Sequence, residues 1–179
     1  RFLETEVDNE EIESSGKIPQ RLVDRLRAIG AFGIKIPREY GGLGLSQYTY
    51  GRAMAKIGTR NGALVALLSA HQSIGVPQPL KLFGTPEQKK KYLPRCAAGA
   101  ISAFALTEPE AGSDVSGIQT IAEPQPDGAV LLRGEKTFIS NAGVADSYVV
   151  FAREAASTPE GKPRFGAFWL PADSEGLSV

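Results

Sequence analysis

"AFALTEPEAGSDVS", residues 103–116, decides how the rest of this chain is read. An apolar run stops at Thr107, Glu108 and Pro109 come next, and Gly112, Ser113 and Asp114 form a corner. The run has the character of a buried strand, and it gives way to turn chemistry. Leu106 and Thr107 end the strand, where the last backbone groups are expected to lack a sheet partner. Those groups, with the Thr107 hydroxyl, can hydrogen-bond a planar polar heterocycle. Pro109 stiffens the turn, and Gly112 admits a ligand close to the backbone. Ser113 adds a hydroxyl and an amide at a nest suited to a phosphate oxygen.

A second segment, "KTFISN" at residues 136–141, carries complementary groups. Read as a strand, it lays Phe138 flat against an aromatic ligand and projects Ser140, two residues on, to the same face. An apolar plane with convergent donors is what an aromatic cofactor of dinucleotide size requires. Taken alone, the same residues equally fit ordinary turns, because Gly, Ser and Asp are common in any loop.

Working outward, the chain divides into two tracts of different period. From about Pro19 to Ala98 it reads as helices. "PQRLVDRLRAIGAFG" places Leu22, Leu26 and Ile29 on one face and closes near Gly33 as a left-handed cap. In "SQYTYGRAMAKIG", Ser46 caps a helix that buries Tyr50, Ala53, Met54 and Ile57. "GALVALLSAHQSIG" is apolar nearly all round, the mark of a helix packed among others. Thr85, Pro86 and Gln88 open a further helix with a capping box. After Ala98 come short runs rich in β-branched and aromatic residues: "AISAFAL", "QTIAE", "AVLLRGEKTFIS", "SYVVFAR" and "RFGAFWLP". Turn signals separate them, at Pro126-Asp127-Gly128, Asn141-Ala142-Gly143 and "STPEGKP". The expected architecture is α+β: an all-α helical bundle over residues 1–100, then an antiparallel β-barrel or sandwich domain over 101–179. The second tract is short for a closed barrel or sandwich, so the chain is expected to be a piece of a longer protein.

Composition narrows the function classes. In 179 residues, 20 Lys and Arg balance 20 Asp and Glu. Only Lys89, Lys90 and Lys91 cluster, and on a helix they read as a solvated face rather than a nucleic-acid surface. The longest apolar stretch falls well short of the ~20 residues a bilayer span needs. The single Cys96 rules out an internal disulfide and fits a reducing compartment, where it reads as a small buried residue. A soluble protein of cytosolic type is expected.

Several chemistries are excluded. His71 is the only histidine, so multi-histidine metal sites cannot form. At the end of an apolar helix it reads as a partly buried side chain with one hydrogen-bond partner, not a catalytic base. No G-x-S-x-G elbow and no Walker loop occurs. The glycines of "EYGGLGL" follow no strand and read as a loop between helices.

"AFALTEPEAGSD" resembles the flavin-binding signature of the acyl-CoA dehydrogenase family, and "GEKTFISNAGVADSYVVFAR" resembles that family's second signature. "PREYGGLGLS", "AHQSIG" and "LFGTPEQKKKYLP" are similar to its helical N-terminal part in order and spacing, with a lean toward the very-long-chain branch. The resemblance covers nearly the whole chain. It implies FAD held between a helical domain, a central β domain and a C-terminal four-helix domain that lies beyond Val179. The implied reaction is α,β-dehydrogenation of a fatty acyl-CoA thioester to the trans-2-enoyl-CoA. A glutamate takes the α-proton, hydride goes to flavin N5, and electrons pass to an electron-transfer flavoprotein. The intact protein is implied to be a homo-oligomer, in the cytoplasm of a bacterium or in the mitochondrial matrix of a eukaryote.

Carried onto this chain, the resemblance places Phe104, Leu106 and Thr107 at the flavin, the latter two near its pyrimidine edge. Donors there stabilise negative charge developing on the reduced ring. Gly112 and Ser113 fall by the pyrophosphate, with Ser113 also at the pantetheine entrance of the substrate. Phe138 covers one ring face, Ile139 belongs to the same lining, and Ser140 hydrogen-bonds near N5. Family members often carry Trp at the place of Phe138 and Tyr at that of Phe104, so no N–H or O–H is offered here. No residue matches the catalytic base, which is expected beyond Val179. Glu108 is assigned a loop or interface role instead. These 179 residues alone are expected to catalyse no dehydrogenation and to bind FAD weakly at best. Two rival readings stand beside this one: an acyl-CoA oxidase or flavin monooxygenase of the same superfamily, and a flavin-free module acting through its helical surface.

Overall fold

The computed structural model describes residues 2–155 and 163–179. Helices come first. Two short ones, α1 (Phe2–Thr5) and α2 (Asn9–Ser15), fall in the acidic stretch that the apolar pattern does not mark as helical. The Asp8 carboxylate caps α2 by accepting the Glu10 and Glu11 amides, and only Ile12 of α2 is buried. α3 (Gln20–Ala28) buries Leu22, Val23 and Leu26. Its left-handed end is Gly30, at φ 73°, not Gly33, which lies in a subsequent 3₁₀ turn.

α4 (Gln47–Gly58) starts at Ser46, whose hydroxyl accepts the Thr49 amide, and buries Tyr50, Met54 and Ile57. α5 (Gly62–Ser69) is shorter than its apolar run, because Ala70–Ile74 widens into a π-helical turn. After α6 (Pro77–Phe83), α7 (Pro86–Ala97) carries the expected Thr85/Gln88 capping box.

The sheet comes next: β1 (Ser102–Ala105), β2 (Ile121–Pro124), β3 (Val130–Arg133), β4 (Ser147–Glu154) and β5 (Phe165–Pro171). β4 is its centre. β5 pairs antiparallel along one edge of β4, while β1 and β2 share the other, both parallel to it. β2 and β3 form an antiparallel pair. The sheet is therefore mixed, where an antiparallel one was expected. Alternation of apolar residues reports which face is buried and carries no information on strand direction, which explains the difference. Most of the "STPEGKP" turn lies outside the described residues.

One hydrophobic core runs from helices to sheet without a break. Leu26, Phe32, Leu64 and Leu68 pack in the same cluster as Ala103, Ala105 and Val150. A second cluster gathers Ile36, Leu93, Cys96 and Val149, with Phe104, Phe151 and Trp169 against it. Burial pushes the Cys96 thiol up to about 12, so it is a packing residue and not a nucleophile.

The helix-to-sheet seam is polar at one point. His71, in the π-helical turn, is fully buried rather than partly so. Its Nδ1 receives the Ser102 amide at 3.1 Å and lies 2.9 Å from the Ser102 hydroxyl. The Ser102 oxygen in turn accepts the Val76 amide at 3.1 Å. An accepting Nδ1 places the imidazole proton on Nε2, which is buried and has no partner within hydrogen-bond geometry among the described residues. Burial pushes the imidazole down to about 4, against smaller opposing pulls from the Cys96 and Phe32 backbone and from Asp146.

Candidate functional site

The two signature segments lie side by side. β3 ends at Arg133, so "KTFIS" is not a strand and period-two alternation does not place Phe138 and Ser140. An irregular segment returns along the end of β1 instead. Thr137 donates its amide to the Thr107 carbonyl at 2.9 Å. The Lys136 ammonium donates to the Leu106 carbonyl at 3.0 Å and to Glu108 Oε1 at 2.7 Å. The carbonyls at the end of β1 thus lack sheet partners, as expected, but Lys136 and Thr137 already bond them, so they are not free for a ligand.

Beyond this cross-link the segment turns outward. Phe138 sits at φ 55° and is 93% exposed. A bulky aromatic in the left-handed region is strained, and an exposed one gains nothing from the local core. Ser140 is exposed as well, while Leu106, Thr107 and Ile139 are half-buried beside it. The outcome is an open ledge, with an aromatic ring at its rim and two hydroxyl residues nearby.

The loop after Thr107 is stapled by Glu108, which is only 5% exposed. Its carboxylate accepts the Gln119 amide at 2.6 Å, the Thr120 amide at 3.0 Å and the Thr120 hydroxyl, besides Lys136. Burial pushes this carboxyl up, but the bonds from Lys136, Thr120 and the Gln119 amide outweigh it and bring it to about 2. A carboxylate bonded four ways and held at about 2 is a loop anchor and a weak base. Gly112 and Ser113 ride on the exposed arm of this loop, and space is open where a Cβ on Gly112 would stand. Asp114 closes the arm by accepting the Ser116 amide and hydroxyl.

The structure thus bonds Leu106 and Thr107 to Lys136 and Thr137, the residues that lead into Phe138, Ile139 and Ser140. Gly112 and Ser113 share the loop but bond to none of them. Phe104 faces the second core, its ring centroid 4.9 Å from that of Phe151. Two contributors escaped the sequence reading: Lys136, and Asn141, whose amide bonds Leu67 and Ser102. A polar residue inside a turn gives no sign of such long-range contacts.

Among the described residues no cluster of His, Cys, Asp and Glu is placed to hold a metal ion. Helices packed on a mixed sheet thus carry two segments, 106–108 and 136–137, bonded to each other just past the end of β1. The chain belongs to the acyl-CoA dehydrogenase family: the family's N-terminal domain matches residues 1–100 and its middle domain residues 103–179. It is 52% identical to the probable acyl-CoA dehydrogenase FadE10 of Mycobacterium tuberculosis, over 99% of this chain and 27% of that protein. It is 43% identical to the mitochondrial very long-chain specific acyl-CoA dehydrogenase of Rattus norvegicus, over 99% of this chain and 28% of that protein. An acyl-CoA dehydrogenase from Bacillus anthracis, solved in complex with FAD, superposes with a TM-score of 0.79 at 38% identity, over 88% of this chain and 26% of that one. The chain spans about a quarter of the length of the curated relatives it matches.

Proposed function

We propose that this chain is the flavin-seating part of an FAD-dependent acyl-CoA dehydrogenase acting on fatty acyl-CoA. Residues 1–100 form its helical domain and 101–179 belong to its central β domain. The observation that carries the reading is Phe138: a large ring held in left-handed backbone and almost fully exposed. The FAD-bound relative from Bacillus anthracis supports the choice of ligand.

The residues fit a flavin. Phe138 presents an apolar face to one side of a planar ring, with Ile139 beside it. Thr107 and Ser140 offer hydroxyls to the polar edge, and Leu106 walls the same side. Gly112 and Ser113 lie on the open arm, where an exposed amide and hydroxyl suit a pyrophosphate oxygen, and Ser113 also faces the substrate thioester's pantetheine arm. Bound FAD supplies the hydride acceptor for α,β-dehydrogenation. This chain's own residues orient the ring, shield one face from water and place donors at the edge where negative charge develops. Glu108, committed to the loop, is not assigned the role of base in this reading.

The electron acceptor is an electron-transfer flavoprotein, and the intact protein assembles as a homo-oligomer. Among the described residues no helix is long and apolar enough to cross a membrane. The setting is the cytoplasm of a bacterium, or the mitochondrial matrix of a eukaryote.

The test is the visible spectrum of the purified full-length protein. Bands of bound oxidised flavin, bleached by a long-chain acyl-CoA without oxygen, are expected. Reoxidation by ferricenium but not by dioxygen separates a dehydrogenase from an oxidase. A colourless protein that gains no bands on adding FAD would overturn the reading.

A further inference from the structure

Asn141 holds the ledge to both halves of the molecule. It stands at φ 69°, a left-handed conformation that Asn tolerates better than most residues. Its side-chain amide has two N–H donors, and both are used. One donates to the Leu67 carbonyl in the last turn of α5, the other to the Ser102 carbonyl of β1, each at 3.1 Å. Its own carbonyl accepts the Val144 amide, and the Ile139 carbonyl accepts the Ala142 amide, so the turn closes tightly around it. Ser102 is also the residue clamped by His71.

We propose that Asn141 is a positioning residue: its amide pins the 138–143 turn to the helix-to-sheet seam and so fixes where Phe138 and Ser140 stand on the ledge. The need for such a pin arises from Phe138. An exposed aromatic in left-handed backbone has no packing of its own to hold it, so the constraint must come from neighbouring residues. Thr137 supplies it on one side through Thr107, and Asn141 supplies it on the other. Only a side chain with two donors, short enough to stay in the turn and compatible with φ 69°, meets both carbonyls. Asp lacks the donors, Gln sets them one carbon too far, and Gly keeps the backbone but not the bonds.

The positional claim rests on geometry alone, and its consequence for FAD rests on the proposed flavin seat. Two readouts on the full-length protein keep them apart. Asn141→Gly retains the left-handed backbone and loses both bonds; Asn141→Asp retains shape and conformation but reverses donor to acceptor, and serves if the first variant fails to fold. Without FAD, amide hydrogen exchange over residues 138–144 is expected to quicken about tenfold or more in either variant, while exchange in α7 stays unchanged. With FAD, the dissociation constant is expected to rise about tenfold, with altered shape of the flavin absorption band. A merely structural role would lower the melting temperature and leave flavin affinity and band shape as in the wild type. Unchanged exchange over 138–144 would overturn the positioning role. Quickened exchange in a protein whose wild type binds no FAD would uphold that role and sink the flavin reading.

Discussion

The Thr137 amide bonds the Thr107 carbonyl at 2.9 Å, joining two segments far apart in the chain at the point where β1 ends. The bond belongs to no regular ladder. β3, which pairs with β2, has already ended at Arg133. With Lys136 reaching Leu106 and Glu108 from the same side, the ledge is held by three cross-links of different kinds.

Glu108 makes the loop acid-sensitive. Its carboxyl stands at about 2 in the folded chain against an ordinary 4.5. A depressed carboxylate contributes stability that is full above 4.5 and is lost as pH falls toward 2. The shift corresponds to about 3 kcal/mol. Urea unfolding of the full-length protein from pH 6 to pH 2.5 should show this acid limb, and Glu108→Gln should flatten it. Equal acid limbs in both proteins would contradict the assignment.

His71 acts at higher pH with the same sign. Its imidazole stands at about 4 when folded, against an ordinary 6.5. The unfolded chain therefore binds a proton first, so stability falls as pH drops from 6.5 toward 4, again by about 3 kcal/mol. His71→Gln should remove this slope while lowering stability at pH 7, as monitored by thermal unfolding at half-unit pH steps.

Ser102→Ala tests the seam directly. The change removes an oxygen bonded to the Val76 amide and to His71, and leaves a buried amide without a partner. A loss of about 1–3 kcal/mol is expected in chemical denaturation.

Gly134→Ala should also destabilise. An added Cβ would run into Thr120 Oγ1 and meet Thr120 Cα at 2.7 Å. Thr120 is held by Glu108, so it cannot yield without loosening the loop anchor. A loss of about 1–3 kcal/mol is expected in urea midpoints.

Much of the fold was legible in the sequence. Helix starts at Ser46 and Thr85 come from capping chemistry, which is local and short-ranged. The five strands among the described residues fall on apolar runs read as strands, β2 and β4 each passing its run by one residue, because burial leaves a compositional mark. Strand direction and the π-helical turn at Ala70–Ile74 were not legible, since both arise from packing between distant segments. The same holds at the ledge. Phe138 and Ser140 were singled out by residue type, but their placement depends on a left-handed backbone that no periodicity announces. Glu108 was assigned to the loop, and its partners Gln119, Thr120 and Lys136 emerge only in three dimensions.

The most direct measurement is FAD titration of the deflavinated full-length protein, as wild type and as Phe138→Ala, with the melting temperature of each apoprotein recorded alongside. Phe138 is 93% exposed, so its truncation should change apoprotein stability by no more than about 0.5 kcal/mol. Loss of the stacking face should weaken FAD about tenfold or more. Equal FAD affinity in the two proteins, or a wild type that takes up no FAD, would contradict the account.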